Sequence, residues 1–454
     1  MWIRFKRNLK QYSELDQKIL NIALPCAVEN LLVFAVGLVM AAMIGRLSSD
    51  EITIQSICSQ ITSLFRAFFS GLGVGATVIL SICYGSGSLG RCRKIAEQIM
   101  LIVLPMSLVA ALTIRFYPMQ FLRMFLDDET LIQRALPYLH IVVWSIPFVA
   151  VSRIITAVFT SQGDTKTPMV IAVTVNVVSA ALGYVLIFGL GPIQGKGMIG
   201  AAWSQTVAYG VGTLMGLAAL YMQGGLYCSV MRDGSLSQLE TVHIRNVFTT
   251  GIPASLESMM MSVAAIILSR VLISYGTVVN SGYQLSSQVE GVLAAPCFGF
   301  QLAATTLVAQ SLGRGSKEDA ANSYKRISFW CVVVTLPVTI LLLVFPNAAM
   351  MLLTDKPEIR GVGVKYLMTA AVAFVPQALG MVDFGAIRAA GHKRFPLAGT
   401  MIGMWCVRVP IAALAAWVFE ADIFFVFCGY ALDQIVRKAI AEVYQRRHRI
   451  FSDV

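Results

Sequence analysis

Pro25-Cys26-Ala27-Val28-Glu29 returns 228 residues later as Pro253-Ala254-Ser255-Leu256-Glu257. The same offset, with no gap, lays Ser59-Gln60 on Ser287-Gln288, and Gly71, Ala76 and Thr77 on Gly299, Ala304 and Thr305. It carries Gly85, Gly87 and Ser88 onto Gly313, Gly315 and Ser316, and Pro118 onto Pro346. Asp127 falls on Asp355, Tyr138-Leu139 on Tyr366-Leu367, and Gly163 and Pro168 on Gly391 and Pro396. Coincidence in an apolar chain would fall mostly on Leu, Val and Ala; here it falls on kinks, turns and charges. The chain therefore holds two copies of one structural unit. Two packed copies of a membrane unit, with a site between them, is a common transporter plan.

Composition sets the solvent. Hydrophobic residues make up 57% of the chain and charged residues 13%, against about 25% charged in a soluble domain. Such a chain cannot cover itself with polar surface, so a bilayer is expected around it. The cysteines sit mostly inside apolar runs, as packing residues and not as a disulfide framework. The basic start (Arg4, Lys6, Arg7, Lys10) leads into an apolar stretch long enough for a full span, so no cleavable signal peptide is expected.

Apolar runs predict membrane spans near 19–45, 53–83, 95–116, 135–160, 168–191 and 198–222. The second set lies near 243–274, 281–312, 323–346, 362–389, 396–419 and 422–444. The expected class is an all-α integral membrane protein of twelve helices in two pseudo-symmetric six-helix lobes. Residues 1–18 form a cytoplasmic N-terminus, 19–222 the N-lobe, 223–242 a cytoplasmic linker, 243–444 the C-lobe and 445–454 a cytoplasmic C-terminus. Lys and Arg in the even loops and termini outnumber those in the odd loops nearly threefold, which puts both termini in the cytoplasm. That placement accounts for the net charge of +11 without nucleic acid. Six is even, so the two copies share one orientation, related by an axis along the membrane normal.

An ionisable side chain inside a span costs roughly 2.5–3.5 kcal/mol at the helix centre, which marks it as functional by default. Glu29 and Glu257 each stand four residues after a proline that frees a backbone carbonyl. Either could load a proton, or hold sodium or an organic cation; either could equally rest against headgroup water or an Arg. Asp383 is the deepest acid of the second half, with coupling or pairing to an intramembrane Arg such as Arg408 or Arg153 as its two readings. Glu290 follows Gln288 by two residues, and Asp433 and Arg437 share a helix face as an expected ion pair. Ser59, Gln60, Ser287, Gln288 and Asn176 are polar enough to line a cavity or to bond between helices. Met40 and Met261 offer soft apolar surface, as pocket or as packing.

Several motifs in order resemble the multidrug and toxic compound extrusion (MATE) family. They are Gln162-Gly163-Asp164-Thr165-Lys166-Thr167-Pro168-Met169, then Leu186-Ile187-Phe188-Gly189, Leu307-Val308-Ala309-Gln310 through Gly315, and Trp405-Cys406-Val407-Arg408-Val409-Pro410. The resemblance runs from about 15 to 445. It implies two six-helix lobes in a V and export of organic, often cationic, amphipathic compounds in exchange for protons or sodium ions. Its partners are then a small organic substrate, a coupling cation and membrane lipid, with no nucleic acid, no cofactor, no metal and a monomeric chain in the plasma membrane. Departures from the family pattern matter. Met40 stands where many members carry a helix-one Asp, and Ser179 and Gly183 where many carry Asn and Asp. Met261 takes the place of a helix-seven acid, and Gln377 that of a helix-ten Asp in some members. Glu290 matches an acid that members often carry. The rival readings are a flippase for a lipid-linked precursor and, from another class, an intramembrane enzyme or receptor.

Other patterns mislead. Gly85-Ser86-Gly87-Ser88-Leu89-Gly90 spells a nucleotide fingerprint, yet it follows an apolar helix and has a twin at Gly313; a helix end and turn is the better reading. His140, His243, His392 and His448 are scattered, with no metal-ligand spacing.

Overall fold

The computed structural model describes residues 2–44, 49–124, 128–190, 193–222, 241–351, 353–419 and 421–451. In the first half α1 (Trp2–Ile44), α2 (Ser49–Gly85) and α3 (Leu89–Phe116) are followed by the short α4 (Pro118–Arg123). Then come α5 (Glu129–Val142), α6 (Ser145–Ser161), α7 (Lys166–Phe188) and α8 (Gly197–Met222). The second half runs α9 (Thr241–Ser274), α10 (Thr277–Leu293), α11 (Ala295–Gly313), α12 (Lys317–Val344), α13 (Pro346–Met351) and α14 (Pro357–Ala389). It ends with α15 (Phe395–Met401), a wide π-helical stretch over Ile402–Arg408, α16 (Val409–Trp417) and α17 (Ile423–Arg447).

The duplication holds to the residue. Moved by 228, Ser49 and Gly85 become Thr277 and Gly313, the outer ends of the α10–α11 pair. Leu89 and Phe116 become Lys317 and Val344, and Glu129 and Ser161 become Pro357 and Ala389. Pro118 and Pro346 each open a short helix, where proline's missing N–H is harmless. Interruptions within the helices differ between the copies. The α5–α6 pair is broken at Val143-Trp144 where α14 is continuous, whereas α10 and α11 meet at a 45° bend. Pro296 accounts for that bend, because its ring cannot continue the backbone ladder.

Among the described residues nine helices are long and apolar enough to cross a membrane, and the bent pair makes a tenth. Gly197–Met222 and Ile423–Arg447 are 26 and 25 residues long. They are less apolar because the first is rich in Gly and the second carries Asp433, Arg437 and Lys438. With them the spans number twelve, six in each half. The fifth span, expected near 168–191, ends at Phe188, where Gly189 turns to φ 85°. A two-stranded antiparallel ribbon follows, β1 (Gly189–Leu190) against β2 (Ile193–Gln194), with Gly189 opposite Gln194.

Contacts group the chain into two compact units whose limits fall inside α1, α2 and α9 and in the turn between α2 and α3. The first holds Met1–Asn30, Ser81–Gly87 and Leu256–Val454. Within it the start of α1 lies on α11, with Gly299 against the Ala23 backbone, and the end of α2 meets α11 at Gly85–Gln310 and Gly313–Ile82. Its core runs from Ile19 and Ile22 through Phe300 to Phe374. A second cluster around Tyr366, Phe427 and Tyr430 lies among α9, α14 and α17. The second unit holds Leu31–Leu80 and Ser88–Ser255. There the start of α9 lies on α2, with Gly71 and Gly75 beside Ser255 and Gly251, and Ser255 Oγ donates to the Phe68 carbonyl at 2.5 Å. The glycines permit this because a Cβ would strike the neighbouring backbone. The linker 223–242 lies almost wholly outside the described residues, which resume at Thr241.

Candidate functional site

The richest polar cluster is built around Glu290 on α10. One backbone turn later comes the bend, where the Ala294 N–H donates to the Glu290 carbonyl at 2.8 Å. Tyr366 and Gln377 lie eleven residues apart on α14, three helical turns, so they share a face. Tyr430 comes from α17. Both phenols donate short hydrogen bonds to Glu290, Tyr366 to Oε2 and Tyr430 to Oε1. Gln377 Nε2 stands 3.4 Å from Glu290 Oε1, and Tyr430 Oη stands 3.1 Å from Gln377 Oε1. Arg408 stacks over the Tyr430 ring, its Cζ 4.6 Å from the centroid. Pro410 explains why the backbone widens just before it: it has no N–H for the Cys406 carbonyl, and the π-helical stretch absorbs the defect. Sequence reasoning named Glu290 and Gln377 separately; the structure brings them together. It missed Tyr366 and Tyr430. Tyr366 was visible as one of the repeated residues, whereas nothing in the sequence pattern singles out Tyr430.

Asp383 on α14 is fully buried. Tyr324 Oη donates to Oδ1 at 2.6 Å and Lys438 Nζ reaches Oδ2 at 2.7 Å. The expected arginine partner is corrected to this lysine. Arg408 is engaged with Tyr430 and Arg153 is exposed on α6, while α17 runs along α14 and delivers Lys438. Glu257 pairs with Arg388, Nη2 to Oε2 at 2.6 Å, and accepts from Thr400 Oγ1 at 3.1 Å. The two charged side chains are 13% and 4% exposed, so the pair is buried. Its twin by sequence, Glu29, is half-buried on α1. Asp433 and Arg437 form a pair one helical turn apart, with Nε at 2.6 Å. Gly403 of the π-helical stretch lies directly against that pair, where a Cβ would collide.

In the first half, Met40 lies against Gly183, with Ser204 close by. The thioether and the missing side chain are the two positions where family members carry acids, and here they fill each other's space. The Glu290 cluster has no counterpart there. Its equivalents by the 228 offset are Thr62 for Glu290, Val149 for Gln377, Ala202 for Tyr430 and Ala180 for Arg408; Tyr138 alone matches. The remaining candidates stay apart. Gln60 and Gln288 are exposed, Ser59 and Asn176 are half-buried, and Met261 is exposed. Ser287 turns its hydroxyl back to the Gln284 carbonyl at 3.0 Å.

Known proteins match along nearly the whole chain. The MatE family pattern fits residues 25–185 and again 253–414, and the two matches start 228 residues apart. The probable multidrug resistance protein NorM of Thermotoga maritima is 22% identical over 435 residues, 95% of this chain and 92% of its own. That of Bradyrhizobium diazoefficiens is 26% identical, over 92% of this chain and 90% of its own. Among solved structures, the Vibrio cholerae MATE transporter VcmN superimposes with a TM-score of 0.89 at 17% identity, over 97% of this chain and 99% of that one. A transporter of the MOP superfamily from Pyrococcus furiosus gives 0.87 at 18% identity, over 96% of each chain. Both structural likenesses bear on the fold.

Proposed function

Because the chain belongs to the MATE family of membrane transporters, we propose that it is a secondary active antiporter. It exports organic, cationic or amphipathic compounds in exchange for H⁺ or Na⁺. The lobes 19–222 and 243–444, joined by 223–242, alternate between a cytoplasm-open and an outward-open state, with both termini in the cytoplasm of a plasma-membrane protein. The working unit is a monomer in lipid; its partners are the organic substrate and the coupling cation.

One observation carries the assignment of the coupling site. Glu290 sits within apolar helices, its oxygens held by phenols and an amide, and among the described residues no Lys or Arg bridges it. A carboxylate in such surroundings is free to take up a cation and to favour one state when it does. Asp383 and Glu257 are weaker seats, because Lys438 and Arg388 already hold them and an incoming cation must compete. Met40 against Gly183 leaves the first half without a carboxylate at the corresponding family positions. On this reading the coupling falls to Glu290 of the second half.

Everted membrane vesicles test this with a panel of cationic dyes, the pH gradient and the sodium gradient being collapsed separately. Wild type should accumulate dye under one gradient, and Glu290→Gln should lose that accumulation at equal protein level. Undiminished accumulation by the variant would overturn the assignment.

A further inference from the structure

The outward side chains of α17 form one row. Phe425, Leu432, Ile435 and Val443 are exposed and recur at helical spacing along a single face. One turn beyond Val443 the row ends in the exposed Arg446 and Arg447. A second row begins with a cation. Arg394, just ahead of α15, is followed one turn at a time by Ala398 and Ile402, and all three are exposed.

The two rows are neighbours. Phe395 at the start of α15 stacks on Tyr444 near the end of α17, with ring centroids 3.8 Å apart, and Gly403 lies against Asp433 and Arg437. The helices therefore run antiparallel. On each, the exposed row lies about 100° round from these contacts, in the same sense along its own chain. In antiparallel partners such rows emerge on one side, so they make a single apolar strip with cations at one end.

The charged end is held in place. Tyr444 Oη lies 2.8 Å from His392 Nδ1, and the Tyr444 carbonyl accepts from His448 Nδ1 at 3.1 Å. Arg449 takes a left-handed φ of 45°. Its N–H and that of Ile450 return to the Arg446 and Gln445 carbonyls, which closes the helix. The reversal tucks Ile450 against Phe384 and Ile387 and leaves Arg449 exposed. From 390 to 398 and from 439 to 451 the sequence has one acid, Glu442, and it is bridged to Arg446.

We propose that this strip binds an anionic glycerophospholipid, its phosphate held by Arg394, Arg447 and Arg449 and its acyl chains laid along the rows of α15 and α17. The apolar rows select a lipid over a soluble phosphate. The cations select an anionic headgroup over a zwitterionic one. With the C-terminus in the cytoplasm, as proposed above, the lipid belongs to the inner leaflet. The inference is independent of which carboxylate couples transport.

Native mass spectrometry of the purified full chain, titrated in detergent with phosphatidylglycerol, counts the bound lipid. Phosphatidylcholine with the same acyl chains and inorganic phosphate are the comparison probes. Wild type should prefer phosphatidylglycerol, and inorganic phosphate should not displace it. The triple variant Arg394→Gln/Arg447→Gln/Arg449→Gly should bind phosphatidylglycerol roughly tenfold more weakly. Glycine at 449 suits the left-handed backbone, so that change does not disturb the turn. Arg91→Gln/Arg93→Gln/Lys94→Gln, at the start of α3, removes three exposed cations elsewhere and should bind as wild type does. Equal losses in both triple variants would reduce the effect to net charge and overturn the site. Equal binding of the two lipids would overturn it as well, and displacement by inorganic phosphate would mark a soluble-anion site instead. If the first triple variant does not fold, phosphatidylglycerol carrying a photoreactive group next to its headgroup decides on the wild-type chain. Its cross-links should fall within 394–402 and 443–449, and cross-links confined to other helices would overturn the proposal.

Discussion

Asp16 and Arg326, 310 residues apart, meet in a two-pronged ion pair, with Nε and Nη2 each 2.6 Å from a carboxylate oxygen. Trp330 Nε1 adds a third donor at 2.8 Å. The contact fastens the polar start of α1 to α12. The Asp16 and Arg326 side chains are 16% and 33% exposed, so the pair lies between a surface bridge of little worth and a fully buried one. Asp16→Ala should cost roughly 1–3 kcal/mol, and Asp16→Asn less, because the amide oxygen still accepts. Thermal unfolding in detergent reads both. Adding Arg326→Ala to Asp16→Ala should cost little more, since the partner is already lost; additive losses would show that the pair does not act as a unit.

Gly85 rests on the Gln310 backbone and Gly313 on the Ile82 backbone. By the 228 offset these are one contact seen from both copies. Gly85→Ala or Gly313→Ala must push two helices apart, at about 1–3 kcal/mol each. Gly361 on α14 has open space around it, and Gly361→Ala should leave stability unchanged or raise it by up to about 1 kcal/mol. Melting temperatures of the three variants should order accordingly. Tolerance at Gly85 equal to that at Gly361 would contradict the close approach.

The duplication was legible because prolines and glycines are positional: Pro118 and Pro346 open short helices whichever copy they are in. Apolar runs mark where a helix can sit in lipid, not where it starts: α1 begins at Trp2, well before the first apolar run. The bend at Ala294 was not expected, although Pro296 was in plain view, because a proline near a helix start and one within a span look alike in sequence. The site was legible by residue type and illegible by partner. Glu290, Asp383 and Glu257 stand out as charges in apolar surroundings. Their companions Tyr366, Lys438 and Arg388 come from 76, 55 and 131 residues away, a distance over which helical periodicity carries no information. Tyr430 illustrates the harder case, since an aromatic in an apolar helix reads as core until its hydroxyl is seen to face a carboxylate.

Glu257 and Arg388 yield a prediction that separates clamping from coupling. Removing one partner of a buried pair leaves the other uncompensated, at about 3–5 kcal/mol. Glu257→Gln should therefore lower the melting temperature and the amount of folded protein. Replacing both by leucine should restore much of the loss, because no lone charge remains. Transport normalised to folded protein should survive in Glu257→Gln and fail in Glu290→Gln. The reverse pattern would move the coupling role to Glu257.

Asp128 caps α5, accepting from the Thr130 N–H at 2.8 Å and from its hydroxyl at 2.6 Å. The Thr130 hydroxyl, then its backbone N–H, hold the exposed carboxyl below the usual carboxylate range. A carboxyl whose folded value lies below its unfolded value of about 3.9 stabilises the fold above that pH. The contribution disappears as pH falls through the folded value. Wild type should accordingly melt slightly above Asp128→Asn across neutral and mildly acidic pH, and the gap should close once pH drops below about 4. Asp128→Ala should melt lower than both at neutral pH, since it has no acceptor for Thr130 at all. A gap between wild type and Asp128→Asn that widens on acidification would mean that the carboxyl is held above its unfolded value, and the capping account would fail.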